Sequence, residues 1–119
     1  MSKTPIADQL RREIAFFEGH PERWTQGVSA RRADGEKTGC ESPNAVCFCQ
    51  SGARSHILSA YSEIRWKYPK LLSKTIDLVD SVAVSMGYRS AIQLNDHSDF
   101  PTVMEMLYIA LAHAEGAGV

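Results

Sequence analysis

Four stretches of this chain space their large apolar residues three and four positions apart, which commits each stretch to a helix with one buried face. In the first, Ile6, Leu10, Ile14 and Phe17 share a stripe over about 4–18, with Thr4 at the N-cap, Pro5 at the first helical position and Gly19 just past the end. A second stripe, Val46, Cys49, Ala53, Ile57, Ala60 and Ile64, follows Ser42-Pro43 and predicts a helix over about 43–64. Leu72, Ile76, Val79, Ala83 and Met86 predict a third over 69–86, ending at Gly87, and Val103, Leu107, Ala110 and Ala114 a fourth over 102–115, opened by a Thr102/Glu105 capping box. Residues 25–42 hold Gly27, Asp34-Gly35 and Gly39 but almost no large apolar side chain, so they are expected to form a long loop or a short β-hairpin turning at Asp34-Gly35. A helix with one apolar stripe must bury it against another element. The expected fold is therefore mostly α, a compact bundle of about four helices forming a single helical domain over 1–119.

A chain of 119 residues buries roughly two-thirds of its unfolded surface and needs no metal or disulfide staple to hold one core. Its three cysteines, an odd number without an export signal, point to free thiols in a reducing cytoplasm, which becomes the host-cell cytoplasm if the chain is phage-encoded. No apolar run reaches the roughly 18 residues that cross a bilayer, so no membrane partner is expected. Charge is distributed unevenly: residues 76–119 carry one basic and six acidic groups, whereas 41–75 carry five basic and two acidic. That acidic carboxy-terminal third argues against direct nucleic-acid binding, which calls for a basic stripe. It is suited instead to a basic protein partner.

Few residues invite a chemical role. Cys40, Cys47, Cys49 and His56 could be read as zinc ligands, but a Cys-x-Cys pair on the expected helix points its sulfurs about 200° apart, so neither a metal site nor a cofactor is expected. Cysteine catalysis has four histidines to choose from, His20, His56, His97 and His113, and nothing local that singles out a nucleophile, so no catalytic residue is assigned. Gly52, inside the second stripe, costs about 1 kcal/mol against alanine and marks a bend or the close approach of another helix or a ligand. The segment Leu94-Asn95-Asp96-His97-Ser98-Asp99 is either a cluster able to bind a cation or move protons, or merely the turn that caps the last helix, and the cap is the simpler reading. Trp66, between Arg65 and Lys67 beyond the second stripe, is the better candidate for an exposed aromatic anchor.

The ordered set Trp24, Gly27, Asp34-Gly35, Ala45, Cys49-x-x-Gly52-Ala53, Asn95-Asp96 and Val103-x-x-x-Leu107-x-x-Ala110 resembles the domain of unknown function family 6197, small proteins of bacteria and phages, over about residues 24–114. Phe48 and Leu94 stand where tryptophans are common in that pattern, and both keep a large apolar group. The resemblance implies a compact helical domain in which the Cys49–Ala53 turn and Asn95-Asp96 are structurally linked; it brings no activity. The expected function is a non-enzymatic protein-binding or regulatory protein, phage-related and acting as an inhibitor of a host protein, with Trp66, Asp96, Asp99 and Glu105 as the partner-binding candidates. The alternative is a small ligand-binding domain or enzyme with a pocket among Cys49, Gly52, Asn95, Asp96 and His97. Assembly into a homo-oligomer is a third reading.

Overall fold

A computed structural model describes residues 3–119, and most of them lie in six α-helices: α1 (Pro5–Phe17), α2 (Gln50–Ala60), α3 (Ser62–Lys67), α4 (Leu71–Ser85), α5 (Ala91–His97) and α6 (Phe100–Ala117). A 3₁₀ turn at Pro21–Arg23 and three short strands, β1 (Ala30–Arg32), β2 (Lys37–Thr38) and β3 (Ala45–Phe48), account for the remaining regular structure. The fold is mostly helical, as expected, but it has more and shorter helices than four and a sheet.

The core forms where the stripes of α1, α4 and α6 meet, with α2 and α5 packed alongside. Leu10, Phe17, Val79, Ala83, Val103, Leu107, Ala110 and Ala114 are all completely buried. Burying each leucine- or phenylalanine-sized side chain contributes about 1.5–3 kcal/mol. Small residues on α6, Ala110 and Ala114, let α1 approach closely, and α1 packs most extensively against α6. The tail beyond Glu115 is tied back: Gly118 ends α6 at φ +71°, and the Val119 carbonyl oxygen accepts from Ile6 N–H at 2.7 Å, at the start of α1.

The 25–42 excursion contains the expected hairpin. β1 pairs antiparallel with β2, Gly35 takes φ +87°, and the Asp34 carboxylate accepts from Glu36 N–H at 3.0 Å, closing the turn. A third strand joins on the other side of β1, where the second helix was expected to begin. The helix predicted over 43–64 is therefore wrong in its first third and broken later: β3 occupies Ala45–Phe48, α2 starts at Gln50, and the chain breaks at Tyr61 before α3. Val46 and Cys49 match the helical stripe only by coincidence of spacing. Register skips Val46, which bulges out of the β1–β3 ladder and is 49% exposed, while Phe48 turns into the core and packs edge-on against Phe16.

The last third also departs from expectation. Residues Ala91–His97 form α5, with Ser90 as its N-cap accepting from Gln93 N–H, and Leu94 is buried completely. The capping box at Thr102/Glu105 does not open α6. Asp99 does, accepting from Thr102 N–H at 2.9 Å with Pro101 in the first turn, so α6 starts two residues earlier than predicted.

Candidate functional site

Asn95 is the centre of the cluster that the sequence singles out. It is fully buried on α5, and its side-chain amide joins three separate segments. The oxygen accepts from Trp24 Nε1 at 2.7 Å and from Gln50 N–H at 3.0 Å, the first residue of α2; the amide nitrogen donates to the Thr25 carbonyl at 3.0 Å and to the Asp96 carboxylate at 3.1 Å. An amide side chain has two acceptor positions and two donors, and here all four are used. Trp24 is held further by its ring against Phe100. Asn95 therefore fastens the start of α2 and the segment entering the sheet to α5.

Cys49 and Gly52 form the other side of the same joint. Cys49 is the N-cap of α2, its sulfur accepting from Gly52 N–H at 3.2 Å, and its own N–H donates to the Ser29 carbonyl at 3.1 Å. A methyl group on Gly52 would lie 2.0 Å from that Ser29 oxygen, so glycine is required by the close approach of a backbone segment and not by a helix or ligand. Burial pushes the Cys49 thiol pKa up, against the backbone donors Gly52 and Ser51. Cys47 lies within β3 and Cys49 caps α2, so the divergence argued from a helix does not apply to them. His56 has its Nδ1 3.0 Å from the Cys40 carbonyl oxygen and its ring tilted over Phe48, the centroids 4.4 Å apart. Among the described residues no three His, Cys, Asp or Glu side chains gather into a metal-binding group.

Asp96 leaves the joint and ties down the following loop by accepting from Gly27 N–H at 2.8 Å. Neither Asp96 nor His97 caps α6; His97 ends α5 and is exposed. Beside Asp96 an open depression of about 260 Å³ is lined by Gly27, Val28, Ser29, Cys49, Ser51 and Ile92.

Trp66 on α3 is 87% exposed, whereas Asp99 caps α6 and Glu105 is exposed on that helix. Trp66 is followed by residues 67–71, which lie against Lys3 and Ile6 at the start of α1, while Asp96 contacts the loop that follows the end of α1. The acidic excess of residues 76–119 is also largely structural: Asp80 accepts from Ala91 N–H, Asp96 from Gly27 N–H, Asp99 from Thr102 N–H, and Glu115 pairs with Arg11.

Sequence reasoning missed a second buried polar assembly. Glu13 on α1 and Arg54 on α2 are 0% and 1% exposed and meet through three hydrogen bonds of 2.8 to 3.1 Å; Gln50 accepts a further one from Arg54, and Gln9 donates to Glu13. The available signal was positional. Gln9 and Glu13 are four apart and flank the α1 stripe, as Gln50 and Arg54 flank the α2 stripe. Such a pair gives a partner for each charge and fixes how the two helices register, with little net gain in stability.

No family model, no curated protein and no solved structure matches this chain. Among the described residues no helix is long and apolar enough to cross a membrane.

Proposed function

We propose that this chain is a non-enzymatic protein-binding and regulatory protein, acting by occupying a partner's surface rather than by turning over a substrate. One observation carries the reading: the residues with the most chemical character, Asn95, Asp96 and Cys49, already bond to Trp24, Thr25, Gln50, Gly27 and Gly52, while the largest aromatic side chain outside the core, Trp66, is 87% exposed with no such role. An exposed indole is a common anchor at protein interfaces. Free thiols at Cys40, Cys47 and Cys49 suit a reducing cytoplasm, and membership of the family 6197 pattern and inhibition of a host protein belong to the same proposal.

A second reading has its own support, because the depression beside Asp96 is concave and its carboxylate reaches the rim. It makes the chain a small-ligand-binding domain. Capture from a lysate with wild-type protein, Trp66→Ala and Asp96→Asn separates the two. Loss of the captured partner in Trp66→Ala alone supports the interaction protein; loss in Asp96→Asn alone, or no specific capture by the wild type, rejects it.

A further inference from the structure

The interaction reading leaves the partner's chemistry open, and the Trp66 end of the molecule narrows it. Where the link from α3 to α4 crosses the start of α1, a groove of about 350 Å³ has Ile6 and Leu71 among its apolar walls and is rimmed by Lys3, Lys67, Lys70 and Lys74. No ion pair among the described residues involves any of these four lysines, in contrast to Arg11, Arg32 and Arg54, which are paired. Arg65, on the same side of the sequence as Trp66, reaches only Glu41, at 4.0 Å. Four unpaired cations converge here although the whole chain carries a formal charge of −1. A ligand site for a drug-sized molecule runs to about 300–1,000 Å³, so this groove admits one or two side chains and not a large cofactor.

We infer that this groove docks an acidic segment of another protein, one apolar side chain of the segment seated between Ile6 and Leu71, its carboxylates against Lys3, Lys67, Lys70 and Lys74, and Trp66 closing over one edge. The inference rests on the reading of the chain as an interaction protein and names its partner's chemistry. Charge complementarity selects the occupant, since a basic partner would meet four like charges. An anionic membrane is the less suitable occupant: the apolar surface here is concave, and a single protruding indole beside lysines gives only weak, reversible attachment. A single-stranded nucleic acid would need successive exposed aromatic platforms, and at this end Trp66 is exposed whereas Tyr68 is half-buried in the groove lining.

The test titrates the full chain with a synthetic peptide of aspartates and glutamates around one phenylalanine, followed by heteronuclear NMR shifts and Trp66 emission at low salt. Comparison probes are the same peptide with serine for phenylalanine, a lysine version, vesicles containing acidic phospholipid, and a single-stranded oligonucleotide. Expected are shifts confined to residues 3–6 and 66–74, affinity that falls as salt rises, weaker binding of the serine peptide, and at least about a tenfold loss in Lys67→Glu/Lys70→Glu/Lys74→Glu. These lysines are exposed, and an unchanged circular dichroism spectrum and melting temperature of the variant confirm that only the surface has altered. Absence of shifts with the acidic peptide, equal binding by the variant, or equal or tighter binding of the lysine peptide, the vesicles or the oligonucleotide overturns the inference. If capture from lysate depends on Trp66 but is indifferent to the lysines, the interaction reading stands and the acidic-partner inference falls.

Discussion

Where α1 ends, Trp24, Thr25, Gln50 and Asn95 exchange hydrogen bonds until the amide of Asn95 has no capacity left; where α1 begins, Lys3, Lys67, Lys70 and Lys74 surround an apolar groove with no ion pair among them. The first region contains the residues that stand out in the sequence. The second consists of lysines, two prolines and aliphatic side chains that would pass in any soluble protein. The contrast teaches that chemical conspicuousness and availability are different properties. A buried polar side chain must be partnered to exist at all, so an unusual cluster in a small core is first of all a joint. Surface cations carry no such obligation, and their convergence is the more informative observation.

If the contrast is right, substitutions in the joints should unfold the protein and substitutions in the groove should not. The largest effect is expected at the Glu13–Arg54 pair: Arg54→Ala leaves a carboxylate buried without its cation and should cost about 3–5 kcal/mol by denaturant titration. Glu13→Leu combined with Arg54→Met should restore most of that loss, and failure to do so would make the pair more than a register device. Next comes Asn95→Leu, which strands Trp24 Nε1–H and Gln50 N–H in the interior at about 1–3 kcal/mol each, accompanied by a change in Trp24 emission.

Gly52→Ala forces the Ser29 backbone away from α2 and should cost about 1–3 kcal/mol, the range for an overpacked site. Full stability in that variant would show that the sheet floats on α2 and is not clamped to it. Smaller still is Asp99→Ala at the α6 cap. The Thr102 hydroxyl, and then the Thr102 N–H, hold the Asp99 carboxyl pKa below its ordinary value of 3.8. Its contribution is therefore complete above pH 3.8 and disappears as pH falls through the lower folded-state value, so the melting-temperature gap between wild type and Asp99→Ala should narrow below pH 3.8. Trp66→Ala closes the series with a change within about 0.5 kcal/mol. A large loss there would turn the exposed indole into a structural element and remove the contrast altogether.

Helical spacing made α1, α4 and α6 legible because each buries a long stripe against other helices, and local sequence contains that whole pattern. Strand β3 was not legible. Ala45–Phe48 is four residues long, its pairing partner Ala30–Arg32 lies about fifteen residues back, and Ser42-Pro43 before it imitates a helix start. Helix α5 hid behind Asn95, Asp96 and His97, poor helix formers that are stabilised here by bonds to Trp24, Thr25 and Gly27. Of the candidate site, the link between Cys49–Gly52 and Asn95 was foreseeable from the resemblance, and the direct bond is Gln50 N–H to Asn95. The buried Glu13–Arg54 pair was not, since charges flanking an apolar stripe look the same whether they face water or each other. Trp66 was legible as exposed from its place beyond the stripe, but the lysines of the groove come together only when residues 67–74 meet residue 3.

The packing of α1 on α6 has a consequence for synthesis. Arg11 and Glu115, which bridge the two helices, are 104 positions apart, and at about 5–20 residues per second a ribosome needs roughly 5–20 seconds to make the second after the first. Throughout that interval the Leu10, Ile14 and Phe17 face of α1 has no α6 to cover it. A nascent chain of this protein therefore completes its core only when the last helix emerges, which exposes it to holdase chaperones for most of its birth and makes loss of α6 by premature termination far more damaging than loss of the hairpin.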